Sequence, residues 1–429
     1  KHIDHDRQLQ HAHEHPGIDI SDQLKGVNRK NNPTERHEVL DVQNRGEYLY
    51  AACGAGGVRI YDTAFIGHKG FSERIVTAPV SPRGQKLFIK TPYATSIAAP
   101  TTIVPSPIRR QTALNEEPTI PSFYGYIYAT DRELGLLCIH VGTLLDGNPL
   151  NNFIELDTAF NPDGLLDGAT NITIVGRYAY VCCDTGLIVV DLLNPDPTKP
   201  KIVSVLKSEV NMPRSIEVQF QYGFLCDRDG VKIFDTTELS KPKLITTIPI
   251  DDAKNIYVAR TYAYVSAGHQ GLIILDVKNP AKPVIHQVYN AGGKIDDLHD
   301  VQLGITNVSS FAYLADGHNG LHVVQLTNAT RPDNNGFSPQ PLPKLIATYK
   351  LPHHGHALAI SKGLDRDRAV DESGNQIAVF GRVGARPLNK LEENIYLRNG
   401  LPWRVSNDPF DSDIFIIDPD DNIPPVQQR

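Results

Sequence analysis

Several things are scarce in this chain of 429 residues, and each scarcity removes a class of function. No run of eighteen apolar residues occurs, which excludes a membrane-spanning helix, and no apolar segment at the start resembles a signal peptide. Basic residues are in deficit, 42 Lys and Arg against 49 Asp and Glu. The resulting charge of -7 gives no basic face for displacing phosphate counterions, so general nucleic-acid binding is excluded. Cysteine occurs only at 53, 138, 182, 183 and 226, an odd number in which at least one thiol stays free. No C-x-x-C or C-x-x-C-H spacing exists, which excludes a zinc knuckle and a covalently attached haem of its own. Helical periodicity is nearly absent, and there is no G-x-S-x-G nucleophile elbow. The single methionine is Met212. A chain opening at Lys1 without an initiator carries the expectation of export with signal removal, to the periplasm or the extracellular space.

A repeat of roughly 40 to 50 residues is present instead, and that period belongs to propellers and solenoids. Tyr48-Leu-Tyr50 precedes Gly57-Val-Arg-Ile-Tyr-Asp62, and Tyr126-Ile-Tyr128 precedes Gly135-Leu-Leu-Cys-Ile-His140. Tyr178-Ala-Tyr180 precedes Gly186-Leu-Ile-Val-Val-Asp191, and Tyr222-Gly-Phe224 precedes Gly230-Val-Lys-Ile-Phe-Asp235. Tyr262-Ala-Tyr264 precedes Gly271-Leu-Ile-Ile-Leu-Asp276, and Phe311-Ala-Tyr313 precedes Gly320-Leu-His-Val-Val-Gln325. Each copy reads as two strands joined by a Gly-bearing turn. Upstream lies an alternating strand such as Ile172-Thr-Ile174. Downstream lies a Lys-Pro pair such as Lys199-Pro200, Lys241-Pro242 or Lys282-Pro283, where proline suits an outer edge strand. Four strands per repeat make a blade.

The segments Gly186–Asp191 and Gly271–Asp276 resemble the motif of the LVIVD-repeat proteins, bacterial and archaeal exported β-propellers. The resemblance spans roughly residues 35 to 429. It implies an all-β propeller, and His140 and Gln325 depart from its closing Asp. A degenerate seventh copy is read in His356–Ile360, Gln376–Phe380 and Ile414–Asp418, so the expected fold is a seven-bladed β-propeller of four-stranded antiparallel blades over residues 35–429. Insertions at 101–123 and 381–412 interrupt it. Residues 1–34 form a polar, His-rich arm.

The column two residues before the first apolar residue of each inner strand reads His37, Thr95, Thr170, Arg214, Lys254, His299 and His356. Three imidazoles on consecutive blades, His37, His299 and His356, could hold a transition metal at the channel entrance. Glu38 and Asp300 would orient them, and Arg214 and Lys254 would stand opposite to bind an anion. In the arm, His2, His5, His11, His13 and His15 could meet a metal or the haem of a neighbouring protein, because His11, His13 and His15 share one face when extended. The polar arm cannot bury enough apolar surface to order itself, so a partner chain is expected to hold it. Two functions follow as expectations. One is an exported, non-catalytic binding or scaffold subunit of a larger protein assembly, with a haem-bearing partner among the candidates. The alternative is a metal-dependent propeller enzyme using the histidine ring.

Overall fold

The computed structural model describes residues 37–45, 48–62, 86–100, 125–145, 152–193, 196–305, 309–328, 338–361, 397–398 and 401–402. Six four-stranded sheets follow one another along the chain, each pairing its strands antiparallel in sequence order. Blade 1 holds β1 (Asp41–Arg45), β2 (Tyr48–Ala52), β3 (Val58–Asp62) and β4 (Phe88–Ile89); blade 2 holds β5 (Ala94–Ala98), β6 (Tyr126–Asp131), β7 (Gly135–His140) and β8 (Glu155–Phe160). Blade 3 holds β9 (Asn171–Val175), β10 (Tyr178–Cys183), β11 (Gly186–Asp191) and β12 (Lys201–Leu206); blade 4 holds β13 (Ser215–Gln219), β14 (Tyr222–Asp227), β15 (Gly230–Asp235) and β16 (Lys243–Pro249). Blade 5 holds β17 (Asn255–Ala259), β18 (Tyr262–Ser266), β19 (Leu272–Asp276) and β20 (Val284–Tyr289); blade 6 holds β21 (Asp300–Ile305), β22 (Ser310–Ala315), β23 (Leu321–Gln325) and β24 (Lys344–Tyr349). A short hairpin, β25 (Leu397–Arg398) with β26 (Leu401–Pro402), falls within the second insertion.

The repeat's glycine has a steric cause. At Gly186 the backbone takes φ +137°, and an added Cβ would lie 2.1 Å from the Leu206 carbonyl oxygen of the outer strand. At Gly320 the corresponding values are φ +90° and 2.2 Å from the Tyr349 oxygen. The outer strand occupies the space a side chain would need, so only glycine fits. The closing Asp has a different task. Asp191, Asp235 and Asp276 accept the N–H two residues on, at Leu193, Thr237 and Lys278, at 3.0, 2.8 and 2.9 Å. Each carboxylate thereby turns the chain toward the outer strand. His140 and Gln325 lack this device, yet β7 and β23 still pair with both neighbours, so those blades stay regular. As expected from the Lys-Pro pairs, Pro200, Pro242 and Pro283 stand immediately before β12, β16 and β20.

Alternation along the second strand builds the core between blades. Tyr180 and Cys182 pack toward blade 4 with Ile216 and Leu225, whereas Ala179, Val181 and Cys183 pack toward blade 2 with Tyr128 and Cys138. The vicinal cysteines therefore point to opposite faces, and all five cysteines are buried free thiols. Between the outer two strands of blades 2 to 6 the register slips once, at Cys138/Ile139, Val189/Val190, Ile233/Phe234, Ile274/Leu275 and Val323/Val324. These are β-bulges at equivalent places.

Polar side chains tie the inner strands together in sequence order. Thr173 Oγ1 donates to the Ile216 carbonyl at 2.7 Å, and Asp41 accepts the Ile97 N–H at 2.9 Å. The segment after blade 6 takes the same kind of bond. Asp300 Oδ2 accepts the Ile360 N–H at 2.7 Å, and Ser361 Oγ accepts the Asn44 N–H of blade 1 at 2.8 Å. The described residues thus form six complete blades, one fewer than the sequence leads one to expect. Of the seventh copy, His356–Ile360 is described and, with the adjoining Ser361, touches both blade 6 and blade 1, while Gln376–Phe380 and Ile414–Asp418 lie outside the described residues.

Candidate functional site

The loops that carry the chain from one outer strand to the next inner strand all open on one rim. The hairpin turns between second and third strands open there too. Left-handed backbone at non-glycine residues concentrates on this rim, at Asp163, Met212, Asp252, Ala291, His353 and His354, with φ between 51° and 58°. The two others, Phe220 and Arg260, sit in turns of the opposite rim. A left-handed conformation costs a residue with a Cβ roughly 1–2 kcal/mol, so these loops hold defined and costly shapes.

The inner-strand column can now be read from hydrogen bonds. The N–H groups of Leu40, Thr170, Arg214, Lys254 and His299 donate to the carbonyls of Ala52, Cys182, Cys226, Ser266 and Ala315, at 2.8 to 2.9 Å. The bridges Gly54–Ala94, Gly268–Leu298 and Gly317–Ala357 are equivalent. They place Thr95 and Leu358 in the same column. Thr95, Thr170, Arg214, Lys254 and His299 are therefore where the sequence reading put them. His37 and His356 are not: they lie three and two residues outside the column. Apolar Val39 and Leu358 had each stood in for the first inward residue, whereas the structure gives that position to Val42 and Ile360.

Arg214 and Lys254 also differ from expectation, lying beside His299 on consecutive blades rather than opposite it. Arg214 Nη1 reaches Asp252 Oδ1 at 2.7 Å, and Lys254 Nζ lies 3.7 Å from Asp252 and 3.8 Å from Asp297. His299 Nε2 meets Asp297 Oδ1 at 3.0 Å, and His318 Nδ1 meets Asp297 Oδ2 at 3.1 Å. Cations alternate with carboxylates across blades 4, 5 and 6, which leaves no unbalanced positive pair for an anion. Burial would raise the Asp297 carboxyl, but the His318 hydrogen bond and the charges of His299 and Lys254 hold it below the usual carboxylate range. His299 is pushed down, first by burial and then by Lys254, against the pull of Asp297.

The expected orienting carboxylates have other duties. Glu38 accepts the Tyr93 hydroxyl at 3.3 Å, and Asp300 links inner strands through Asn255 and Ile360. Asp297 takes the role at His299. His318, in the β22–β23 turn, belongs to the cluster as well, its ring 6.5 Å from that of His356. Among the described residues no three His, Cys, Asp or Glu side chains converge as a ready metal site. His2, His5, His11, His13 and His15 lie outside the described residues.

Comparison with known proteins adds the following. The LVIVD repeat model matches residues 168–206, 251–291 and 308–335, covering all four strands of blade 3, all four of blade 5 and the two middle strands of blade 6. Among curated proteins none matches. One similar solved structure is the Cps50 (Swd1) β-propeller domain of Myceliophteria thermophila, with 11% identity, TM-score 0.45 and coverage of 74% of this chain and 87% of that one. Another is a functionally unknown protein from Desulfotomaculum acetoxidans, with 15% identity, TM-score 0.39 and coverage of 59% and 73%. A third is the computationally designed Ika8 protein, with 10% identity, TM-score 0.43 and coverage of 77% and 78%. Likeness at this level carries no argument for function.

Proposed function

We propose that this β-propeller, which carries LVIVD repeats in three of its blades, serves as a non-catalytic binding subunit of a larger exported assembly. The observation that carries the reading is the rim itself. Non-glycine residues in left-handed backbone recur in the five successive loops leading into blades 3 to 6 and into the segment after blade 6, and Met212, His353 and His354 among them are exposed. Apart from Ala291, which packs against the core between blades 5 and 6, these residues are no part of that core, and costly exposed geometry is retained where a surface is used. The histidine arm extends the proposal. It would dock on another chain, and a haem-bearing protein suits its imidazoles.

We take the ring to be completed as a seventh blade by the chain beyond Ser361, in keeping with the bonds that 357–361 makes to both of its neighbours. The metal-dependent enzyme is the weaker reading, because its three histidines stand at different levels of the rim.

The test is isolation of the assembly from its source, with native mass spectrometry of the parent chain and two variants. One lacks residues 1–20, and the other carries Met212→Ser, His353→Ser and His354→Ser. Both are expected to keep the propeller's melting profile while losing mass from the assembly. A parent chain that runs alone, or variants that retain every partner, would sink the proposal.

A further inference from the structure

Beyond docking, we propose that His318 and His356 form an open site for a divalent transition-metal ion of the zinc or copper class. His318 comes from the β22–β23 turn, and His356 from the segment that follows blade 6. Their rings stand 6.5 Å apart, inclined by 58°, and both side chains are exposed. Two imidazoles on one ion, each bonded at about 2.0–2.1 Å, stand roughly 5–6 Å apart centre to centre. A small rotation of either exposed side chain covers the difference.

The protonation pattern suits the same chemistry. His318 Nδ1 donates to Asp297 Oδ2 at 3.1 Å, which leaves the lone pair on Nε2. Ligating histidines are held this way, with one ring nitrogen on a carboxylate and the other on the metal. Asp297 is itself fixed from the far side by His299 at 3.0 Å and by the Lys254 charge. Asp296 brings a carboxylate oxygen 3.7 Å from His318 Nε2, and its other tie is the Asn319 side-chain amide. Negative charge therefore faces the position an ion would take, and nitrogen with carboxylate donors suits zinc and copper(II).

Because no third ligand already stands in place among the described residues, the pair supplies only part of a coordination shell. Water completes it in the isolated chain. In an assembly a partner's side chain would replace that water, and only this last step rests on the docking reading.

The experiment is calorimetric titration of zinc chloride into the full chain at pH 7.5, with His2, His5, His11, His13 and His15 changed to Gln so that the arm cannot chelate. One saturable site is expected, at least 10-fold weaker in His318→Gln and in His356→Gln. In Asp297→Asn the loss should be about 10-fold, typical for a group that orients a ligand. Circular dichroism of each variant establishes that it is folded. Absence of saturable binding, or an unchanged affinity in the folded His318→Gln chain, would overturn the site. Assemblies that persist in the His318→Gln variant while zinc binding is lost would leave the ion site standing and break only its link to docking.

Discussion

At the scale of single residues, His299 and Asp297 respond to pH in separate windows. His299 is half-buried beside Lys254, and its imidazole takes a proton less readily in the folded chain than in the unfolded one. As pH falls through the ordinary histidine range near 6.5, the unfolded chain therefore binds the proton first and stability declines. The decline ends only below the depressed folded value. Asp297 behaves as a paired carboxylate. Its contribution is complete above the ordinary range near 4 and is lost as pH falls through its lowered folded value. Urea unfolding of the parent and His299→Gln chains at several pH values between 7.5 and 5.5 should show a shallower slope in the variant. Equal slopes would mean that His299 is not the group responding. The contact of Asp297 with His318 was not legible from local spacing, because the two meet only after β22 turns back into β23. A weaker signal was available: Asp252-Ala-Lys254 and Asp297-Leu-His299 both place an Asp two residues before the column.

At the scale of the element, the Gly-to-Asp segment was legible because its constraints are local. The glycine answers to one carbonyl of the adjacent strand, and the Asp answers to an N–H two residues on. The same logic separates glycines that look alike in sequence. Gly186→Ala would drive a Cβ to 2.1 Å from the Leu206 oxygen, whereas Gly292, at φ +68°, has nothing within 4 Å of the place its Cβ would take. Gly292→Ala should therefore cost only the backbone term, about 1–2 kcal/mol. Gly186→Ala should cost clearly more, since β11 must separate from β12. Denaturant melts giving the two variants equal losses would contradict the steric account. Strand identity was equally plain, but the start of an inner strand was not. An apolar residue just ahead of the strand, Val39 or Leu358, is indistinguishable in sequence from the first inward-facing one. The cross-strand bond from Leu40 to Ala52 and the β1–β2 ladder fix the level in blade 1.

At the scale of the whole molecule, each blade is bonded mainly to the blades on either side, so damage should stay local. Ile360→Pro combined with Ser361→Ala removes the N–H received by Asp300 and the hydroxyl that receives Asn44. Amide exchange should then quicken in β1 and β21 and remain slow in β9 and β13. Uniform quickening would show that the ring opens as one unit. The column level was read correctly for Arg214, Lys254 and His299, yet their neighbourhood was not: they lead into blades 4, 5 and 6, which are consecutive along the chain and flank one another whatever the blade count. The recurring bulges bear on how the molecule behaves in crowded solution. In blades 2 to 6 the outer strand carries one residue too many for its partner, so its free side presents amides and carbonyls whose two-residue rhythm breaks part-way along. A foreign strand laid along that side could match the rhythm before the break or after it, never both. The propeller thus leaves its perimeter open to water while giving a stray chain no continuous template to extend.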